Sequence, residues 1–289
     1  MSGLVEPKNT IEVLKKHGFS FQKRYGQNFL VDPHVLEKII QAAELTKEDE
    51  VLEIGPGIGT LTEALAEAAG HVTAVEIDDA LIPILEETLA ECKNVTVIHG
   101  DILKTDVAAL SRERGGKPFK VVANLPYYIT TPIIMNLLTG DAPVSSVTVM
   151  VQKEVAERMS AKPGTKEYGA LTLAVNYYAE PYLAANVPQN CFIPRPDVGS
   201  AVVRLKKRVE PGVKVRDEKL LFQLIRASFN GRRKTLVNGL RNAGLPYSKE
   251  EIEEAVGSLG KGLTVRGETL SLQEFGQIAD ALTKETEQQ

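Results

Sequence analysis

The chain has 289 residues, 43% of them hydrophobic and 25% charged, with a formal net charge of −4. That length suits two domains, and the composition gives each a core, which excludes a disordered or fibrous chain. No run of 18 apolar residues and no apolar segment behind a basic start occurs, so neither a membrane span nor a secretory signal is expected and the protein reads as cytoplasmic.

Residues 11–31 form a basic, aromatic lead-in with little periodicity. Asp32-Pro33 then starts a helix, Asp as cap and Pro in the first helical position, followed by Val35, Leu36, Ile39, Ile40 and Ala43 at helical spacing. Short β-branched runs recur at 51–54, 72–75, 95–98, 119–123 and 147–151. They are too continuously apolar to have one wet face, and segments of helical length, such as 61–69 and 79–90, separate them. Buried strands alternating with helices predict an α/β fold, Rossmann-like, with a mostly parallel central sheet covered on both faces. A Pro-rich stretch after residue 187 leads into one more strand at 201–205. Four helical segments follow at about 217–229, 234–243, 248–256 and 271–282. The expected domains are therefore 1–208, carrying the sheet, and 209–289, a small all-helical domain.

The two cysteines, Cys92 and Cys191, suggest no disulfide framework, and the four scattered histidines lack the spacing of a zinc site, so no metal is expected. Charge is unevenly distributed. Between Arg195 and Arg241 there are 13 Lys/Arg against 4 Asp/Glu, a net of +9, which leaves −13 for the remainder. A localised basic face on an acidic protein points to a nucleic-acid partner. Its candidate residues are Arg204, Lys206, Lys207, Arg208, Arg226, Arg232, Arg233, Lys234 and Arg241. Lys15, Lys16, Lys23 and Arg24 extend the surface.

The first strand ends in Glu53-Ile-Gly-Pro-Gly-Ile-Gly59. Gly55, Gly57 and Gly59 at a strand-to-helix turn let the backbone approach a ligand closely. Glu76, at the end of the second strand, is placed to bind the two hydroxyls of a ribose. Asp101 closes the third strand and can accept from an adenine amino group, with Ile77 and Ile102 against the ring. Thr60 breaks the GxGxxG dinucleotide pattern, and Pro56 removes an N–H that a pyrophosphate would use. A nucleoside with an amino acid end fits better, and S-adenosylmethionine is such a ligand.

At the end of the fourth strand stands Asn124-Leu-Pro-Tyr127. An exocyclic aromatic amine is a poor nucleophile because its lone pair is delocalised. The Asn124 side-chain oxygen and the Leu125 carbonyl can accept its two N–H groups and steer the lone pair outward. Pro126 fixes that carbonyl, and Tyr127 or Tyr128 can stack on the base and on its developing positive charge.

These two motifs together resemble the adenine-N6 methyltransferases of ribosomal RNA. Gln27-Asn-Phe-Leu30 is similar to that family's N-terminal cofactor segment, which implies contacts from Asn28 and Leu30 to the methionyl end, with Gln27 a further cofactor-binding candidate. Phe192-Ile-Pro-Arg-Pro-Asp-Val-Gly-Ser200 resembles its F-x-P-x-P-x-V-x-S element, which implies that Phe192 clamps the base opposite Tyr127. Ser228-Phe-Asn-Gly-Arg-Arg-Lys-Thr-Leu236 resembles the signature of the small-subunit, KsgA-type branch. The resemblance implies dimethylation at N6 of two adjacent adenines in the 3′-terminal hairpin loop of 16S rRNA, within a pre-30S particle, by a monomeric enzyme. Three other readings are the large-subunit adenine methyltransferases of macrolide resistance, a non-catalytic RNA-binding assembly factor on the same fold, and a dinucleotide oxidoreductase.

Overall fold

The structure is a computed structural model that describes residues 3–22, 25–231 and 234–283. The elements run α1 (Pro7–Lys16), β1 (Phe29–Leu30), α2 (Pro33–Ala43), β2 (Glu50–Ile54), α3 (Thr60–Ala68), β3 (His71–Glu76), α4 (Ile82–Thr88) and β4 (Val95–His99). Then come α5 (Val107–Glu113), β5 (Phe119–Asn124), α6 (Thr130–Thr139), β6 (Val144–Gln152), α7 (Lys153–Met159), α8 (Ala170–Tyr178), β7 (Ala179–Val187), β8 (Phe192–Ile193) and β9 (Ser200–Lys207). The chain closes with α9 (Glu218–Phe229), α10 (Leu236–Arg241), α11 (Lys249–Gly257) and α12 (Leu272–Leu282).

A seven-stranded sheet has the order β4-β3-β2-β5-β6-β9-β7. The pairs from β4 through β6 are parallel, and β6 with β9 is antiparallel. Val51, Leu52, Val72, Ala74, Val121 and Val122 are all 0% exposed. Helix-covered faces on both sides explain why these strands read as unbroken apolar runs. The chain moves from β2 outward through β3 to β4, then returns to the other side of β2 with β5. The order reverses between β2 and β5, and the carboxyl ends of parallel strands at such a switch are where ligands bind.

Two compact units emerge. The first comprises 1–156 and 181–207, the second 157–180 and 208–289. This grouping departs from the 1–208 and 209–289 division, because α8 packs with the later helices. Its Leu173 and Tyr177 share one core with Leu221, Leu224, Leu240 and Phe275. A sequence boundary drawn at a composition change cannot see an earlier segment that joins a later core.

Local capping sets the helix starts. The Asp32 side chain accepts from the Val35 N–H at 3.1 Å, with Pro33 opening α2. Ser248 with Glu251 and Ser271 with Glu274 form capping boxes at α11 and α12. Two elements differ from expectation. The lead-in contains α1, whose inward face is Thr10 and Leu14; Thr10 is 0% exposed and bonds the Leu4 carbonyl at 2.7 Å. A polar residue at the buried position hid the helical period. β7 holds Pro181 in its interior, tolerated because β7 is an edge strand.

Candidate active site

One cavity opens at the carboxyl ends of β2, β3 and β5, enclosing about 870 Å³ with its mouth included. Its walls come from the segment 25–30, the glycine loop, Glu76-Ile77 and residues 124–128.

The glycine loop is a left-handed turn. Gly55, Gly57 and Gly59 have φ of 67°, 63° and 92°. A Cβ at Gly57 would fall 2.9 Å from the Phe29 ring, so a side chain there is blocked by both conformation and space. Gly59 does not line the cavity. It is the cap residue of α3, where a Cβ would crowd Thr88 and Leu89, so its role is in the turn.

Glu76 is 4% exposed and accepts from the Gly57 N–H at 3.2 Å and the Asp78 N–H at 2.8 Å. Desolvation raises its pKa above the usual range, and these backbone bonds oppose the rise. Glu53 is buried in the same wall, 1% exposed, and among the described residues its Oε2 has no hydrogen-bond partner. Burial pushes its carboxyl up to about 8, and the charge of Glu76 adds to the effect. Glu53 was visible in the glycine motif, yet motif reading gave it no role. Only its burial and its unpartnered oxygen single it out.

Do these residues suit S-adenosylmethionine? Among the described residues the lining contains two carboxyl groups and no Lys or Arg. Those residues offer phosphates no cation, whereas an ammonium group and ribose hydroxyls find acceptors. The donor set fits the methyl donor and disfavours a dinucleotide. Gln27, Asn28 and Leu30 line the cavity. Gln27 Nε2 donates to Asp78 Oδ2 at 2.6 Å, and Asp78 is 0% exposed, so the segment is moored to the turn that follows Glu76 and Ile77. Ile77 also faces the cavity, 42% exposed.

Besides Gly59, three expected residues are not brought to the cavity. Asp101 caps a 3-10 turn, its Oδ1 accepting from the Leu103 N–H at 3.0 Å, with Lys104 at 3.8 Å from Oδ2. Ile102 is buried behind it at 7% exposure. Neither lines the cavity. Phe192 is 3% exposed, because β8 pairs with β1, setting Phe192 opposite Leu30, and the ring joins the core with Val187, Cys191 and Val202. Strand pairing takes the ring that motif likeness offered as a clamp.

The tip of β5 does face the cavity. Asn124 Nδ2 donates one of its two N–H groups to the Asn28 backbone carbonyl at 2.9 Å, which orients the amide and leaves Oδ1 as a free acceptor among the described residues. The Leu125 N–H is held by the Met150 carbonyl at 3.1 Å, and Leu125 is 1% exposed. Pro126 accepts from Thr130 Oγ1 at 3.0 Å, which anchors the turn. Tyr127 is half-buried; burial holds its phenol above the usual range, and the Ser200 hydroxyl at 2.7 Å opposes that. Tyr128 stands at the mouth, 59% exposed.

The basic residues divide between the units. In the first, Arg204 is engaged by Glu44, by the Ala42 carbonyl at 3.2 Å and by the Tyr182 ring at 5.5 Å. Lys207 Nζ lies 3.4 Å from the Ala142 carbonyl, whereas Lys206 is exposed. Lys16 is paired with Glu87 at 2.5 Å. In the second unit Arg208 is paired with Glu180 at 2.8 Å, while Arg226, Lys234 and Arg241 are exposed. Arg232 and Arg233, with Lys23 and Arg24, lie outside the described residues. Among the described residues no group of three or more His, Cys, Asp or Glu could hold a metal ion, and no helix is long and apolar enough to cross a membrane.

A parallel sheet closed by an antiparallel strand, with a glycine loop, an acidic second strand end and an amide at the fourth, defines a Rossmann-like methyltransferase. The profile of one family, described as ribosomal RNA adenine dimethylase, matches residues 18–268. The chain is 61% identical over 285 residues to the ribosomal RNA small subunit methyltransferase A of Lachnoclostridium phytofermentans, covering 98% of each chain. It is 52% identical to the protein of that name from Lysinibacillus sphaericus, covering 96% of this chain and 97% of that one. A dimethyladenosine transferase from Plasmodium falciparum superposes with a TM-score of 0.73 at 27% identity, over 86% of this chain and 95% of that chain. The 23S rRNA methyltransferase ErmE gives 0.69 at 28%, over 88% and 99%. The chain belongs to the ribosomal RNA adenine dimethylase family.

Proposed function

We infer that the protein transfers methyl groups from S-adenosylmethionine to N6 of adenines in small-subunit ribosomal RNA, forming N6,N6-dimethyladenine. The single observation that carries the chemistry is the Asn124 amide, its nitrogen tied to the Asn28 carbonyl and its oxygen open at the tip of β5. Bound in this cavity, S-adenosylmethionine supplies an electrophilic methyl on a sulfonium. The protein's task is to hold the amine in line with it. Asn124 Oδ1 and the Leu125 carbonyl accept the amine's N–H bonds, Pro126 keeps that carbonyl in place, and the Tyr127 ring stacks on the base. Glu76 takes the ribose hydroxyls, and the segment from Gln27 to Leu30 covers the methionyl end. No strong base is required, because the nitrogen becomes acidic only as it gains the methyl.

The substrate choice follows the relatives. Likeness in fold does not separate the two ribosomal targets, since a dimethyladenosine transferase and a 23S enzyme superpose almost equally well. Identity of 61% with a small-subunit methyltransferase favours 16S RNA. The finer reading is two adjacent adenines of the 3′-terminal hairpin loop, met in a pre-30S particle by a cytoplasmic monomer. A base in folded RNA reaches such a pocket only by leaving its stack. The basic residues around Arg226, Arg232, Arg233, Lys234 and Lys206 serve the phosphates.

The test is to incubate the protein and isotopically labelled methyl donor with unmethylated small and large ribosomal subunits, and to map labelled nucleosides by mass spectrometry. Labelled N6,N6-dimethyladenosine confined to the small-subunit RNA is expected. Label in the large-subunit RNA alone overturns the reading.

A further inference from the structure

The hydroxyls of Tyr127 and Ser200, 73 positions apart in sequence, meet at 2.7 Å. Ser200 opens β9, is 1% exposed and stands opposite Gln152 in the antiparallel pair. The Lys153 N–H donates to the adjacent Gly199 carbonyl at 3.0 Å, so the backbone carrying the serine is fixed. Tyr127 is held differently. It lies on the turn between β5 and α6, and its half-buried ring lines the cavity. The outer torsion of a tyrosine is broad, so a ring on a turn is free to tilt unless something holds its far end. Here the far end is held by a short bond to a buried hydroxyl. That bond forms no part of the sheet ladder or of a helix cap. Its one evident effect is on a ring that faces the ligand.

We propose that Ser200 is a positioning residue, whose hydrogen bond fixes the Tyr127 ring in the orientation that stacks on the target adenine before the RNA arrives. The inference rests on the function proposed above and gives a role to the residue that closes the Phe192–Ser200 motif. With the bond in place, base binding does not have to immobilise the ring. Without it, part of the stacking energy is spent on ordering.

The test is a double-mutant cycle of Ser200→Ala and Tyr127→Phe, measured as KM and kcat on small-subunit particles, with cofactor affinity measured by calorimetry. Each substitution is expected to lower kcat/KM for RNA about three- to tenfold, mainly through KM, and to leave cofactor affinity within about twofold, the range expected for losing one net hydrogen bond. The double variant is expected to be no worse than the poorer single one. Losses that multiply, or a Ser200→Ala variant equal to wild type, overturn the role. Tyr127→Phe removes a single oxygen from a half-buried ring. If Ser200→Ala yields no folded protein, wild-type kinetics in Tyr127→Phe overturn the role on their own. A merely structural defect would weaken cofactor and RNA together. Wild-type protein that methylates no adenine removes the function itself, whereas methylation with multiplying losses removes only the role of Ser200.

Discussion

Asn124 and Asn28, 96 positions apart, are joined by a hydrogen bond of 2.9 Å from the side-chain nitrogen of the first to the backbone oxygen of the second. The bond fixes which way the Asn124 amide points. It also ties the segment that carries Gln27 and Leu30 to the tip of β5. One amide therefore couples that segment to the tip of β5, the two places to which the proposed function assigns the methionyl end and the amine. Asn124→Ala is expected to reduce methyl transfer by about two to three orders of magnitude, as for loss of a preorganised polar contact to a reacting group, with cofactor affinity changed only a few-fold. Calorimetry and single-turnover kinetics separate the two. Lost cofactor binding with normal transfer at saturation contradicts the assignment.

Glu53 gives a prediction about pH. Its carboxyl is pushed up to about 8 by burial, against an ordinary value of 4.5, so the folded protein keeps a proton that the unfolded chain has released. Stability from this group is complete below about pH 4.5 and falls as pH rises toward 8, because the unfolded state binds fewer protons over that window. The cofactor-free protein is expected to unfold at progressively lower temperature from pH 5 to 8. Glu53→Gln should flatten that decline, with part of the slope retained because Glu76 is shifted the same way. Parallel curves for the variant and wild type rule out Glu53 as the source.

Glu76 holds the glycine loop through the Gly57 N–H, and its remaining acceptor capacity faces the cavity. Glu76→Ala is expected to weaken S-adenosylmethionine about 10- to 100-fold, the loss of charge-assisted bonds to two hydroxyls. Titration calorimetry checks it. Unchanged affinity would take Glu76 away from the ribose.

The basic cluster is tested through salt. Neutralising Arg232, Arg233 and Lys234 together is expected to weaken RNA binding for all sequences and to flatten the dependence of log K on log salt by about two to three. An unchanged slope moves the phosphate contacts elsewhere. Arg204 is a poorer candidate than its charge implies, since Glu44 already engages it.

Much of the fold is legible in the residues, for identifiable reasons. β2, β3, β5 and β6 read correctly because strands buried on both faces are apolar without interruption, whereas β4, expected to be buried as well, is a half-exposed edge strand. α9, α11 and α12 fall within the helical segments expected at about 217–229, 248–256 and 271–282, and in the structure Asp217, Ser248 and Ser271 cap them. What escaped depends on partners distant in sequence. α1 hides its period behind Thr10, and β7 is stable only as the neighbour of β9. The site shows the same division. Gly55, Gly57, Glu76 and Asn124 follow from local motif chemistry and do meet in one cavity, while Gly59 serves the turn. Asp101, Ile102 and Phe192 do not, since a local cap and a two-stranded pairing decide where they sit. The isolation of Glu53 Oε2 and the bond between Tyr127 and Ser200 are properties of packing and are invisible to spacing.

The most direct measurement is a crystal structure of the protein with S-adenosylmethionine. The account predicts the nucleoside between the glycine loop and Glu76, with the methyl carbon directed at the tip of β5, leaving an amine site about 3 to 3.5 Å beyond it and within reach of Asn124 Oδ1 and the Leu125 carbonyl. A methyl directed away from Asn124, or a donor bound outside this cavity, would contradict it.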